Sequence, residues 1–160
     1  MRCLVIKNDG IGDIVLFSGL LTSIASKFNG NVDLVTRKEN YSIANRIPGL
    51  RKIFFAERDH VDDETIYEIS GKNQYDIAIV PRRFVRKNVF KIMHNVSAKK
   101  KFCCWQYPTN LTHKEAQNAS KDWKHMQGSE SLIPEILYLQ IFCQHAFSRS
   151  LDSTPRLDIR

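Results

Sequence analysis

The sequence predicts an α/β fold, a Rossmann-like doubly wound parallel sheet, and three observations support this. Short runs of apolar β-formers alternate with segments of helical periodicity. The first of these runs, Cys3-Leu4-Val5-Ile6, is apolar throughout, as expected of a strand covered on both faces. It leads into a glycine-rich turn, Lys7-Asn8-Asp9-Gly10-Ile11-Gly12-Asp13, which opens a helix. At 160 residues the chain has room for one well-buried core, so a single domain is expected.

Taken in order, the first strand is Cys3 to Ile6, bounded by the turn formers Asn8, Asp9, Gly10 and Gly12. From Asp13 to about Phe28, apolar Ile14, Phe17, Leu20, Leu21, Ile24 and Phe28 recur at helical spacing, with Asn29-Gly30 as the stop. Val32 to Val35 reads as a second strand. Tyr41 to Ile47 reads as a short helix halted before Pro48-Gly49. Lys52 to Ala56 gives a third strand. Asp62 to Ile69 gives a helix with acids at its amino end, closed by Gly71. Asp76 to Val80 is a fourth strand stopped by Pro81, and Phe84 to His94 is a basic amphipathic helix. Lys101 to Trp105 is a fifth strand. Gln106 to about Ser131 is polar and aperiodic, so a long loop with at most one short helix is expected there. Leu132 to Phe147 is again helical, with Pro134 tolerated in its first turn, and Ser148 to Pro155 has the polar, proline-ended look of a linker.

Composition narrows the classes of function. No apolar run approaches the roughly 20 residues that span a bilayer, and the amino terminus lacks the long apolar core of a secretory signal. The expected compartment is therefore the cytoplasm. The four cysteines have no metal-ligand spacing and read as buried, reduced thiols. The formal charge is +7, yet nine basic residues fall between Arg82 and Lys114 while no acid occurs between Asp76 and Glu115. A basic stretch on a nearly neutral body suggests an anionic partner, such as a phosphorylated glycolipid, a membrane surface, a nucleotide or nucleic acid. Nucleic acid is disfavoured, because few aromatics interleave with these cations and no recognition motif is present.

In open parallel sheets ligands sit beyond the carboxyl ends of the strands, so the residues just after each strand are the candidates. After strand one come Lys7, Gly10, Gly12 and Asp13, a turn whose backbone N–H groups could hold an anion. Asp13 reads either as a helix cap or as a functional acid. Arg37 follows strand two, and Arg82 and Arg83 follow strand four; arginine suits bidentate contact with phosphate or carboxylate, and the competing reading is a solvated helix face. Arg86, Lys87 and Lys91 read as solvated, or as a weak contact with a membrane surface. Trp105, Tyr107 and Trp123 could form a sugar platform, although packing is the expected role. Gly10-x-Gly12-x-x-Val15 lacks the third glycine of the dinucleotide fingerprint, and strand two ends in Thr36-Arg37 without a ribose-binding acid. Arg37 could suit a 2′-phosphate, but NAD(P) is disfavoured. The phosphate-loop Gly-Lys-Ser/Thr and any zinc-ligand spacing of histidines are lacking.

The run Leu4 to Leu16 followed by Leu20-Leu21 resembles the opening of glycosyltransferase family 9, the lipopolysaccharide heptosyltransferases. The similarity continues through Val32 to Val35, Ile47-Pro48-Gly49-Leu50-Arg51-Lys52-Ile53 and Tyr75 to Ile79, and so covers roughly residues 1 to 80. Beyond them, His125 followed by the last helix is similar to that family's histidine and helix before the interdomain linker. The resemblance implies residues 1–147 as the acceptor-side domain of a GT-B fold and residues 148–160 as the linker to a second, donor-binding domain. It implies inverting sugar transfer to lipopolysaccharide or a related surface glycan, with Asp13 as general base and Lys7, Gly10, Gly12, Arg37, Arg82 and Arg83 as acceptor or anion contacts. No cofactor is expected; a nucleotide sugar would be the donor substrate, bound mainly by the other domain. The expected partners are an anionic glycolipid or glycan acceptor, the membrane surface by peripheral contact, and a partner chain that could supply the second domain.

The chain departs from the family pattern in having Lys7-Asn8-Asp9-Gly10 where Arg-Ser/Leu is frequent, and Gly19 where proline is common. It stops at Arg160, where Pro155-Arg156-Leu157-Asp158-Ile159 would lead into the second domain, so the chain alone is expected to be inactive. The alternative is a stand-alone nucleotide- or phosphate-binding module that uses the Gly10 to Gly12 turn without transfer chemistry.

Overall fold

The computed structural model describes residues 1–57, 59–70, 75–82, 87–104, 118, 121–125, 135–148 and 151–154, with Lys87, Cys104, His125 and Glu135 described by backbone only. Arg83, Arg86, Trp105, Tyr107, Gly71 and most of the expected loop after Gln106 lie outside these residues. The chain runs β1 (Cys3–Ile6), α1 (Ile11–Lys27), β2 (Val32–Thr36), a 3-10 turn (Lys38–Asn40), α2 (Tyr41–Ala44), β3 (Leu50–Phe55) and α3 (Asp63–Ser70). There follow β4 (Tyr75–Pro81), α4 (Lys87–Asn95), β5 (Ala98–Cys104), β6 (Lys124–His125) and α5 (Glu135–Phe147).

Every strand pairing is parallel, and the order is β3-β2-β1-β4-β5-β6. This is the doubly wound, Rossmann-like α/β sheet expected from the sequence. The order reverses between β1 and β4, which are paired through Cys3 with Ile77 and Val5 with Ile79. At such a reversal the crossover connections leave in opposite directions and open a crevice above the strand ends.

Side chains alternate across the sheet and build two cores. Cys3 and Val5 of β1, Val32 and Leu34 of β2, and Ile77 and Ile79 of β4 face α1 and α5, where Phe17, Leu20, Leu21, Ile24, Leu139 and Phe142 are buried against them. Leu4, Ile6, Val35, Ala78 and Val80 face the other way, onto Ile69 of α3 and Val89, Ile92 and Met93 of α4. Burying each such side chain contributes about 1.5–3 kcal/mol, so the fold rests on sheet faces covered from both sides. Cys3, Cys103 and Cys143 are buried free thiols, and burial pushes the Cys3 pKa well above its ordinary value. At the amino-terminal end of the sheet, the fully buried Asp33 takes hydrogen bonds on Oδ2 from Arg2 at 3.1 Å, Arg51 at 2.5 Å and the Tyr75 hydroxyl at 2.8 Å. These bonds tie the starts of β1 to β4 together.

Some boundaries differ from expectation. α1 starts at Ile11 rather than Asp13, because Gly10 is the N-cap and Asp13 stands at the third helical position. Pro81 is the last residue of β4, opposite Cys104, and not a residue beyond it; its missing N–H ends the ladder there. β5 begins at Ala98 and takes in Lys99, Lys100 and Lys101; Lys99 reaches Asp76 at 2.8 Å and Lys101 lies 5.8 Å from the Trp123 ring centre. β6 was not expected from the sequence. Trp123 is a core residue, its Nε1 donating to the Met93 carbonyl at 3.3 Å.

Residues 151–154 cross the outside of α1. Leu151 packs on the first core, the Ser23 hydroxyl donates to the Asp152 carbonyl at 2.9 Å, and the Gln140 amide bonds the Ser153 hydroxyl. The crossing requires a glycine beneath it, because a Cβ on Gly19 would lie 1.9 Å from the Thr154 carbonyl oxygen. No helix among the described residues is long and apolar enough to cross a membrane.

Candidate functional site

The carboxyl ends of β1 and β4 gather most of the residues singled out by sequence. β1 ends at Ile6, and the Lys7 N–H still bonds the Val35 carbonyl at 2.9 Å before the chain turns away through Asn8, Asp9 and Gly10 into α1. Gly10 is extended, at φ −70° and ψ 170°, and its N–H donates to Asp13 Oδ2 at 3.2 Å. The half-buried Asp13 carboxylate is thus anchored to the turn that precedes its own helix, one arm of a capping box.

Neither Gly10 nor Gly12 has positive φ, so the backbone does not demand glycine at either position. A Cβ on Gly10 would meet only the Asp13 carboxylate, at an ordinary 3.7 Å, and one on Gly12 would meet nothing within 4 Å. The fold therefore does not fill the space in front of the helix start. Ile11, 48% exposed, sits beside that opening. Asp13 can be approached from outside, over a small apolar shoulder.

The cations meet an internal anion. Lys7, only 1% exposed, donates to Asp9 Oδ2 at 2.6 Å and lies 5.7 Å from the Phe17 ring centre. Arg82, 8% exposed, joins from the end of β4, its Nε pairing with Asp9 Oδ1 and its terminal nitrogen with Asn8 Oδ1. Arg37 comes from the end of β2; its Nε donates to the Asn8 carbonyl at 2.9 Å and its guanidinium pairs with Glu39 at 2.7 Å. The buried Asn40 amide donates to the Asp9 carbonyl at 2.8 Å and to the Thr36 hydroxyl at 3.0 Å.

Lys7, Gly10, Gly12, Arg37, Arg82 and Asp13 are therefore brought to one end of the sheet, and Arg83 lies outside the described residues. Asn8, Asp9 and Asn40 belong to the same cluster, which sequence reasoning had read only as turn formers or passed over. A carboxylate between two lysine- or arginine-bearing strand ends is a signal that becomes visible only once β1 and β4 are neighbours. Farther along the basic stretch, Lys91 pairs with Asp63 at 2.8 Å on the surface, in keeping with a solvated helix face. Among the described residues no cluster of His, Cys, Asp or Glu is placed to hold a metal ion.

No protein-family model and no curated protein matches the chain. Solved structures do match its fold. E. coli heptosyltransferase WaaC with ADP superposes with a TM-score of 0.69 at 14% identity, over 96% of this chain and 49% of that one. The same E. coli enzyme with ADP-2-deoxy-2-fluoro heptose gives 0.69 at 13% identity, over 96% and 50%. A glycosyl transferase of family 9 from Veillonella parvula gives 0.69 at 12% identity, over 99% and 45%. The chain thus spans about half the length of the structures it matches, and shares with them the Rossmann-like α/β domain of a GT-B fold.

Proposed function

We propose that this chain is the acceptor-side half of an inverting, heptosyltransferase-like glycosyltransferase, adding a sugar from a nucleotide donor to lipopolysaccharide or a related surface glycan. The observation that carries this reading is Asp13, a half-buried carboxylate fixed by the Gly10 N–H at the sheet reversal, with open space before Gly12. The likeness of fold to heptosyltransferase WaaC supports it.

In this reaction Asp13 accepts the proton of an acceptor hydroxyl as that oxygen attacks the anomeric carbon of the donor sugar. The new glycosidic C–O bond forms on the face opposite the departing nucleotide. The anomeric carbon–phosphate oxygen bond breaks, and the nucleoside diphosphate leaves with the electron pair. Gly10 orients the carboxylate, and Gly12 leaves room for the acceptor. The donor half would come from further chain or a partner chain, so that this half alone is inactive. The reaction belongs at the cytoplasmic face of the membrane that carries the acceptor, with peripheral contact at most.

Calorimetry on this chain separates the possibilities. A deacylated lipopolysaccharide oligosaccharide is expected to bind saturably, and ADP or an ADP-sugar at least about tenfold more weakly. Tight ADP binding with no glycan binding would favour a phosphate-binding module instead. Sugar transfer by the isolated chain that disappears in Asp13→Ala would overturn the half-enzyme reading while keeping the base.

A further inference from the structure

Two buried cations beside a helix start at the end of a parallel sheet are the ordinary makings of a phosphate site. Here both are already bonded to a carboxylate of the chain itself. Asp9 holds Lys7 on one oxygen and Arg82 on the other, and its carbonyl is pinned by the buried Asn40. Lys7 and Arg82 together with Asp9 and Asp13 give two positive and two negative groups, and Arg37 is balanced by Glu39. Among Lys7, Arg37, Arg82, Asp9, Asp13 and Glu39 the positive and negative groups are thus equal in number. The neutral hydrogen-bonding capacity that is left includes Asn8 Nδ2, buried and with no partner among the described residues.

We propose that Asp9 is a specificity determinant: an internal anion that fills the binding capacity of Lys7 and Arg82, so that the cleft beside Asp13 takes a neutral, hydroxyl-bearing part of a glycan and excludes phosphate and carboxylate. This deepens the transferase reading by naming the part of the acceptor that enters the cleft. An external phosphate would have to displace a desolvated, doubly bonded carboxylate and then sit next to two acids, which is selection by repulsion. Anionic groups elsewhere on the acceptor would be met by residues other than Lys7 and Arg82.

The test is a titration of the 160-residue chain with inorganic phosphate, followed through the backbone amide resonances of residues 7–13. The wild-type chain is expected to show no saturable shift at these amides. Asp9→Asn, of the same shape without the charge, should bind phosphate there roughly tenfold or more tightly than wild type, the worth of one charge-assisted hydrogen bond. Adding Lys7→Met to Asp9→Asn should remove the gain. An Asp9→Asn chain that folds only in phosphate supports the proposal. Saturable phosphate binding by the wild type at these amides overturns it, an outcome that does not depend on any variant folding. So does a folded Asp9→Asn chain that binds phosphate no better than wild type. Neither donor nor turnover enters this measurement, so failure of the transferase reading and failure of this proposal are separately visible.

Discussion

Asp13 and Asp9 are four positions apart on one turn, and the same substitution should separate their duties. Asp13 bonds a single backbone N–H at the surface of the cleft, so Asp13→Ala is expected to lower stability by only about 0.5–1 kcal/mol, as for a lost cap, in urea unfolding. Asp13→Asn keeps an acceptor for Gly10 and should unfold like the wild type. In an assembled transferase both variants should lose about a hundredfold or more in kcat, since neither can take a proton. Asp9→Asn instead leaves two buried cations without their anion and is expected to cost about 3–5 kcal/mol. Only one of these acids was legible in the sequence. Asp13 belongs to a local strand–turn–helix motif that can be read along the chain. The role of Asp9 depends on Arg82, which reaches Asn8 across a separation of 74 residues once β4 lies beside β1.

At the scale of elements, the apolar runs of β1, β2 and β4 and the helical spacing in α1 were readable because both faces of this sheet are covered, which leaves hydrophobic stretches broken only by Asp33 in β2 and Asp76 near the start of β4. β5 was placed too late because its lysines look like loop residues until the salt bridge to Asp76 and the ring of Trp123 are present to receive them. The two-residue β6 has too little sequence to carry a pattern. α3 is a cleaner case: the expected acids at its start include Asp62, whose Oδ1 accepts the Thr65 N–H at 2.5 Å. Asp62→Ala should cost about 1 kcal/mol near neutral pH, measured by urea unfolding. The Thr65 hydrogen bonds hold the Asp62 carboxyl below its usual 3.8, so this contribution is present above that value and is lost as pH falls below it. The difference between Asp62→Ala and wild type should therefore shrink in acid. Gly19→Ala tests the crossing of α1. Its methyl cannot share space with the Thr154 carbonyl, so residues 151–154 must shift, and a loss of about 1–3 kcal/mol with faster proteolysis within that segment is expected.

For the whole molecule, the two hydrophobic cores share one sheet, each strand lending alternate side chains to opposite sides. Neither core can be dismantled without exposing the back of the other. Unfolding in urea is expected to be a single transition, with far-ultraviolet circular dichroism and tryptophan fluorescence changing together; separate midpoints would mean that the two faces melt independently. α1 also acts as a mechanical part. Asp13 near its start and Gly19 under the crossing segment lie six residues apart, roughly 9 Å along one stiff rod. Residues 151–154 are held to that rod by Ser23 and to α5 by Gln140. The crossing segment and the Asp13 carboxylate are thus mounted on one stiff, core-packed element. α1 is in this sense a shared beam, carrying the crossing segment over Gly19 and the acid at Asp13.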